Sequence, residues 1–168
     1  MPRLLVLHHS PTAALRSLTE AVVAGAHDDA ITGVEVAETD ALAFVTGAAD
    51  HADLLAADGY ILGTTANFGY MSGALKHVFD STFLQIGGAL DAGGGAGDGG
   101  SKAARRPFGL YVHGRYDTTG AVRSVLAITS ALGWQQGFDV LEALGELTPE
   151  HLEKAYDLGG TIAALVAG

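Results

Sequence analysis

The amino-acid sequence predicts an α/β protein: a doubly wound, five-stranded parallel sheet with helices on both faces. Two observations carry this. Apolar runs without polar alternation, such as Arg3 to His9, are what strands buried on both faces require. Between such runs lie segments whose apolar residues repeat at helical spacing, so strand and helix alternate along the chain.

Taken in order, Arg3 to His9 is the first strand and Ser10 to Ala26 the first helix. That helix carries Leu15, Leu18, Val22 and Val23 at helical spacing, with Ser10 and Thr12 as caps and Gly25 as a stop. Residues 32–40 read as a second strand with Val34 and Val36 on one face, 48–58 as a helix, and 59–65 as the third strand. Residues 71–86 are helical and gather Leu75, Val78, Phe79, Thr82 and Phe83. Strand four is 106–114, a helix follows over 118–134, and strand five is 136–143. The closing helix, 147–168, opens with Thr148 as cap and Pro149 in its first turn. A single domain over 1–168 is expected.

One stretch is out of pattern. From Gly87 to Gly100 eight of fourteen residues are glycine, which predicts a flexible loop over about 87–106. Gly95, Gly97 and Gly100 match G-x-G-x-x-G, but the string follows a helix and not a strand, so it is no dinucleotide fingerprint. The next residues, Ser101 to Arg106, hold three of the nine basic side chains. They read as a solvated turn, or as a lure for the 2′-phosphate of a nicotinamide nucleotide.

Composition excludes several functions. The net charge is −10, with 19 acidic and 9 basic residues, a surface that repels nucleic acid and anionic membrane. There is no cysteine, hence no disulfide, thiolate metal site or cysteine nucleophile. No apolar run approaches the ~20 residues that span a bilayer. The opening MPRLLVLHHS shows no signal-peptide pattern, so a cytoplasmic location is expected. His8 and His9 are adjacent on a strand, point to opposite faces and cannot chelate together, so no metal site is expected. No G-x-S-x-G occurs, so a hydrolytic serine elbow is absent.

In such a sheet, ligands bind at the carboxyl ends of strands where the strand order reverses. Three turns stand there. The first, from Ser10 into the helix, offers free backbone N–H groups and two hydroxyls, which serve either a phosphate or simple capping. The second, residues 64–70, reads as a seven-residue loop. Its Phe68 either lies against a planar ligand or staples the loop onto the core. The third, His113 to Gly120, joins a histidine, an arginine and a tyrosine. Asp117 either caps the next helix or accepts from a ligand ring.

The residues 4–26, 57–80 and 106–134 together resemble the flavodoxin superfamily, and among its branches the NAD(P)H-dependent FMN reductase and quinone oxidoreductase group, which includes the tryptophan-repressor-binding-protein type. The most specific part is the Gly-Thr-Thr…Phe-Gly-x-Met-Ser-Gly…Lys…Asp string from Gly63 to Asp80. The resemblance implies a flavodoxin-like fold and bound FMN. It assigns the 5′-phosphate to Ser10, Thr12, Ala13, Ala14 and Leu15. Thr64, Thr65, Ala66, Asn67, Phe68 and Gly69 would run beside the ring and ribityl chain. His113, Gly114, Arg115, Tyr116 and Asp117 would close the other side. The chain departs from the family at Ala13 and Leu15, where a glycine and a further Ser or Thr are usual, and at Pro11, which lacks a donor. Arg16 is placed to compensate.

The implied activity passes electrons from NADH or NADPH through FMN to a quinone or similar small acceptor, with His113 and Tyr116 as candidate proton donors or ring-stackers. The alternatives are a flavodoxin-type electron carrier and a flavin-free regulatory or interaction protein. The family commonly forms dimers or tetramers, so a homodimer or homotetramer is implied as well.

Overall fold

The computed structural model describes residues 1–87, 93 and 103–168. Most of the glycine-rich loop expected over 87–106 lies outside the described residues. In chain order the elements are β1 (Arg3–His8), α1 (Ala13–Ala26), β2 (Glu35–Asp40), α2 (Leu42–Thr46), α3 (His51–Ala56), β3 (Gly59–Asn67) and β4 (Tyr70–Met71). Then come α4 (Gly73–Ile86), β5 (Pro107–Gly114), α5 (Thr119–Ala131), β6 (Gln135–Gln136), β7 (Leu141–Leu144) and α6 (Pro149–Ala167).

The parallel sheet runs β2-β1-β3-β5-β6, with β7 also on β5. It is the doubly wound sheet the sequence predicts, and its order reverses beside β1. Each central strand is apolar on both faces, and alternate residues feed two separate cores. Leu5 and Leu7 of β1, Tyr60 and Leu62 of β3, and Phe108, Leu110 and Val112 of β5 pack against α4 and α5. Leu4, Val6, Ile61 and Tyr111 pack against α1 and α6 on the other face.

Three local differences from the expected elements have plain causes. The helix expected over 48–58 is the shorter α3, and an unexpected α2 precedes it. Gly47 ends α2 in the left-handed region (φ 78°), and Asp50 restarts the chain with a capping box to Asp53. The fifth strand is split into β6 and β7. Between their pairings, residues 137–140 stand opposite only Gly109 and Leu110 of β5, so the chain bulges outward there. The third difference, after β3, shapes the candidate site.

Candidate functional site

The turn from β1 to α1 is built by a proline and a cap. Thr12 Oγ1 accepts from Leu15 N at 3.2 Å and its carbonyl accepts from Arg16 N at 3.0 Å. The N–H groups of Ala13 and Ala14, first in the helix, have no acceptor within it. Arg16 folds back over the turn, its Nη1 donating to the Pro11 carbonyl at 3.1 Å. Ser10 faces inward, its Oγ bonded to His8 Nδ1 and Thr19 Oγ1. Beside it, His9 Nδ1 is buried without a hydrogen-bond partner, and such an orphan is costly unless something else satisfies it.

The expected seven-residue loop after β3 is a β-hairpin. β3 continues through Asn67, and β4 returns antiparallel with Asn67 opposite Tyr70 and Ala66 opposite Met71. Phe68 (φ 51°) and Gly69 (φ 76°) form its two-residue turn, both left-handed, which is the type I′ geometry that suits strand twist. Glycine takes that conformation freely, but phenylalanine pays about 1–2 kcal/mol for it. The Phe68 side chain is fully exposed (110%), so it does not staple the turn to the core. Thr64 is buried. Its hydroxyl donates to the Thr65 carbonyl and accepts from Ser72 N, each at 2.9 Å, so it ties β3 to the start of α4. Thr65 Oγ1 donates to Asn67 Oδ1 at 2.8 Å. Ala66 is partly buried, and Asn67, Phe68 and Gly69 are exposed.

In the turn after β5, His113 Nε2 lies 2.7 Å from the Gly145 carbonyl. A carbonyl only accepts, so the proton sits on Nε2, and Nδ1 of the neutral ring is an acceptor. Arg115 lies over the exposed Tyr116 ring, 4.9 Å from its centroid. Asp117 caps α5 through Thr119 N at 2.9 Å, and that bond holds its carboxyl below the ordinary aspartate range. The neighbouring Thr118 hydroxyl donates to Glu142.

Strand order brings the three turns to one edge. His9 N bonds the Gly63 carbonyl, and Thr65 stands beside His113 in register. A Cβ on Gly114 would lie 3.2 Å from Ala66 Cβ, and one on Gly120 only 1.8 Å from the Gly69 carbonyl oxygen. The hairpin is therefore seated on the first turn of α5.

Neither a family model nor a curated protein matches this chain. Solved structures do. A flavodoxin from the domain Archaea aligns with a TM-score of 0.74 at 15% identity, over 99% of each chain. The flavodoxin of Streptococcus pneumoniae TIGR4 aligns at 0.70 and 17%, over 98% of this chain and 99% of that one. The WrbA-like flavodoxin of Agrobacterium tumefaciens aligns at 0.68 and 19%, over 99% and 98%. The chain has the flavodoxin fold.

On that fold, the residues singled out from the sequence fall into two groups. Thr12, Ala13, Asn67, Phe68, Gly69, Arg115, Tyr116 and Asp117 are exposed at the edge, with Ser10, Ala14 and His113 half-buried among them. Leu15, Thr64, Thr65 and Gly114 are buried. The basic run separates from the edge. Arg106 Nη1 donates to the carbonyls of Leu54 and Leu55 and to the Tyr60 hydroxyl, and Arg105 N bonds Gly133. Both lie where β5 begins, at the opposite end of the sheet, so neither reaches a ligand at the three turns. Sequence reasoning missed Glu38, which reaches Ser10 through His8, and Thr19 and Tyr111, which reach it from the other side through the Thr19 hydroxyl. The signal was a hydroxyl on each of two apolar faces, which burial obliges to pair. Among the described residues no helix is long and apolar enough to cross a membrane, and no group of three His, Asp or Glu is placed to hold a metal.

Proposed function

We propose that this flavodoxin-fold chain binds FMN at the edge formed by its three turns and is an NAD(P)H-dependent oxidoreductase of the FMN reductase and quinone reductase type. The observation that carries the reading is the donor set left open at the β1–α1 turn. The N–H groups of Ala13 and Ala14 lack acceptors, and His9 Nδ1 is a buried polar atom without a partner, all at the fold's switch point. This donor set fits a phosphate. Ala13 and Ala14 would hold it through their N–H groups, Thr12 through the hydrogen its cap bond leaves free, and Arg16 through its remaining guanidinium N–H groups. Ser10 would contribute through its backbone, since its hydroxyl is engaged inside. The segments 65–69 and 113–117 would flank the ring, with Thr64 holding the hairpin in place from below.

FMN, when bound, supplies the hydride and electron chemistry. The protein's part is to orient and to shield. Phe68 offers an apolar face held outward by a strained turn, and Tyr116 offers another under Arg115. His113, with Nε2 committed to Gly145, presents Nδ1 as an acceptor and donates a proton only from its charged form.

Purified protein settles this by its spectrum. FMN absorbance, or saturable FMN binding on titration, supports the reading, and steady oxidation of NADH or NADPH with a quinone completes it. Absence of any FMN binding overturns it. A second reading, a flavodoxin-type electron carrier, is favoured by the net charge of −10, which suits docking to a basic partner. It predicts bound FMN with no NAD(P)H oxidation.

A further inference from the structure

A line of polar groups crosses the apolar layer between the sheet and α1. Glu38 Oε1 lies 3.1 Å from His8 Nε2, and His8 Nδ1 lies 2.9 Å from Ser10 Oγ. Ser10 Oγ lies 2.8 Å from Thr19 Oγ1, which lies 2.6 Å from the Tyr111 hydroxyl. His8 is 8% exposed, Thr19 4% and Tyr111 0%. Groups so placed must all be bonded.

Two arrangements of the hydrogens satisfy every bond of this line. Burial pushes the Tyr111 hydroxyl well above the ordinary tyrosine range, so it keeps its proton and in both it donates to Thr19. If Thr19 donates to the Leu15 carbonyl, 3.0 Å away, Ser10 must donate to Thr19 and His8 Nδ1 to Ser10. Since His8 Nε2 also faces a carboxylate, the ring then holds both protons. If Thr19 instead donates to Ser10, Ser10 donates to Nδ1 and a neutral ring donates from Nε2 to Glu38. The two patterns hold the same heavy atoms and differ by one proton on His8.

We infer that His8 is a positioning residue for phosphate binding at the β1–α1 turn. Clamped between Glu38 and Ser10, it fixes the residue that opens the turn, and its second proton places a positive charge two residues before it. Fixing Ser10 beforehand removes ordering cost that binding would otherwise carry. The charge favours a phosphate, so phosphate binding and the second proton promote each other. The groups facing His8 are Glu38 and Asp40 of β2 and Tyr111 of β5. Arg16 of α1 and His9 flank the turn itself. β3 sets uncharged Gly63 beside it, and α6 brings only uncharged side chains to that layer, Ala155, Leu158, Ile162, Ala163 and Val166.

This rests on the FMN reading, and the test separates the two. FMN and riboflavin, which lacks the phosphate, are titrated into wild type, His8→Asn and His8→Leu between about pH 5.5 and 8.5, with folding checked by circular dichroism. Asn can keep the bond to Ser10 without the charge. His8→Leu is expected to weaken FMN about tenfold and leave riboflavin unchanged. His8→Asn is expected to recover most of the affinity at high pH. The wild-type to Asn affinity ratio should fall as pH rises, which cancels the ionisation of the FMN phosphate itself. In ¹⁵N spectra, FMN should shift the His8 ring toward the doubly protonated form. Equal FMN affinity in wild type and His8→Leu, or an equal loss of riboflavin, overturns the positioning role alone. Wild type that binds no FMN overturns the functional reading beneath it.

Discussion

Gly120→Ala tests whether the hairpin is seated on α5. A Cβ there would stand 1.8 Å from the Gly69 carbonyl oxygen, where ordinary contact begins at 3.4 Å, so the hairpin turn must retreat by about 1.6 Å. The obstacle is main chain and no rotamer change relieves it. Overpacking of this kind costs about 1–3 kcal/mol, and a main-chain obstacle belongs at the upper end. Alanine returns up to about 1 kcal/mol in helix propensity. The net loss is about 2 kcal/mol, which for a chain of this size lowers Tm by about 4–8 °C. Gly73→Ala is the matched control: it too opens a helix, but nothing lies within 4 Å of its Cβ position, so Tm should hold or rise. Thermal unfolding gives the first readout, and the amide resonances of Phe68 to Met71 the second. If Gly120→Ala keeps the wild-type Tm and those resonances do not move, the hairpin does not rest on α5 in solution and the reasoning fails.

Three further expectations concern the same architecture. Gly159→Ala drives a Cβ to 2.0 Å from the Val22 carbonyl where α1 crosses α6, and should lower Tm by more than Gly120→Ala, because the whole of both helices must part; an unchanged Tm would refute that close crossing. Phe68→Asn puts the residue type that type I′ turns prefer at a left-handed position and removes no packing, so stability should rise by about 1 kcal/mol in denaturant unfolding while FMN affinity falls. A rise in stability with FMN affinity intact would show that Phe68 has no part in binding. Asp117 has a lowered pKa through its bond to Thr119, so its stabilising effect is present above the ordinary aspartate value of 3.8 and is lost as pH falls through the lowered one. Asp117→Asn should therefore flatten the decline of Tm below about pH 4, and an unaltered acid limb would count against the cap.

The sheet was legible because its strands are apolar on both faces, and only a parallel sheet covered by helices buries both. The hairpin was not. Its pairing sits at Ala66 to Met71, where only two residues on each side are paired and no run is long enough to announce a strand. What specifies it is the pair Phe68-Gly69, and phenylalanine is a poor predictor of the left-handed turn that glycine makes cheap. The Phe68 side chain gains no burial in return for its strain, so what offsets it within the chain is the hairpin pairing and its seat on α5. The phosphate turn carries the opposite lesson. Ser10 was expected to meet a ligand by its place after β1, yet its hydroxyl is claimed from within by Thr19 of α1 and His8 of β1, nine and two positions away. Strand position predicts which residue reaches the edge, and only the hydrogen count predicts which way its proton points. At Ser10 that proton points inward, so under the proposed reading the phosphate donors of this turn would be its backbone, Thr12 and Arg16, and the clamp behind the turn would offset the glycine and hydroxyl that Ala13 and Leu15 replace.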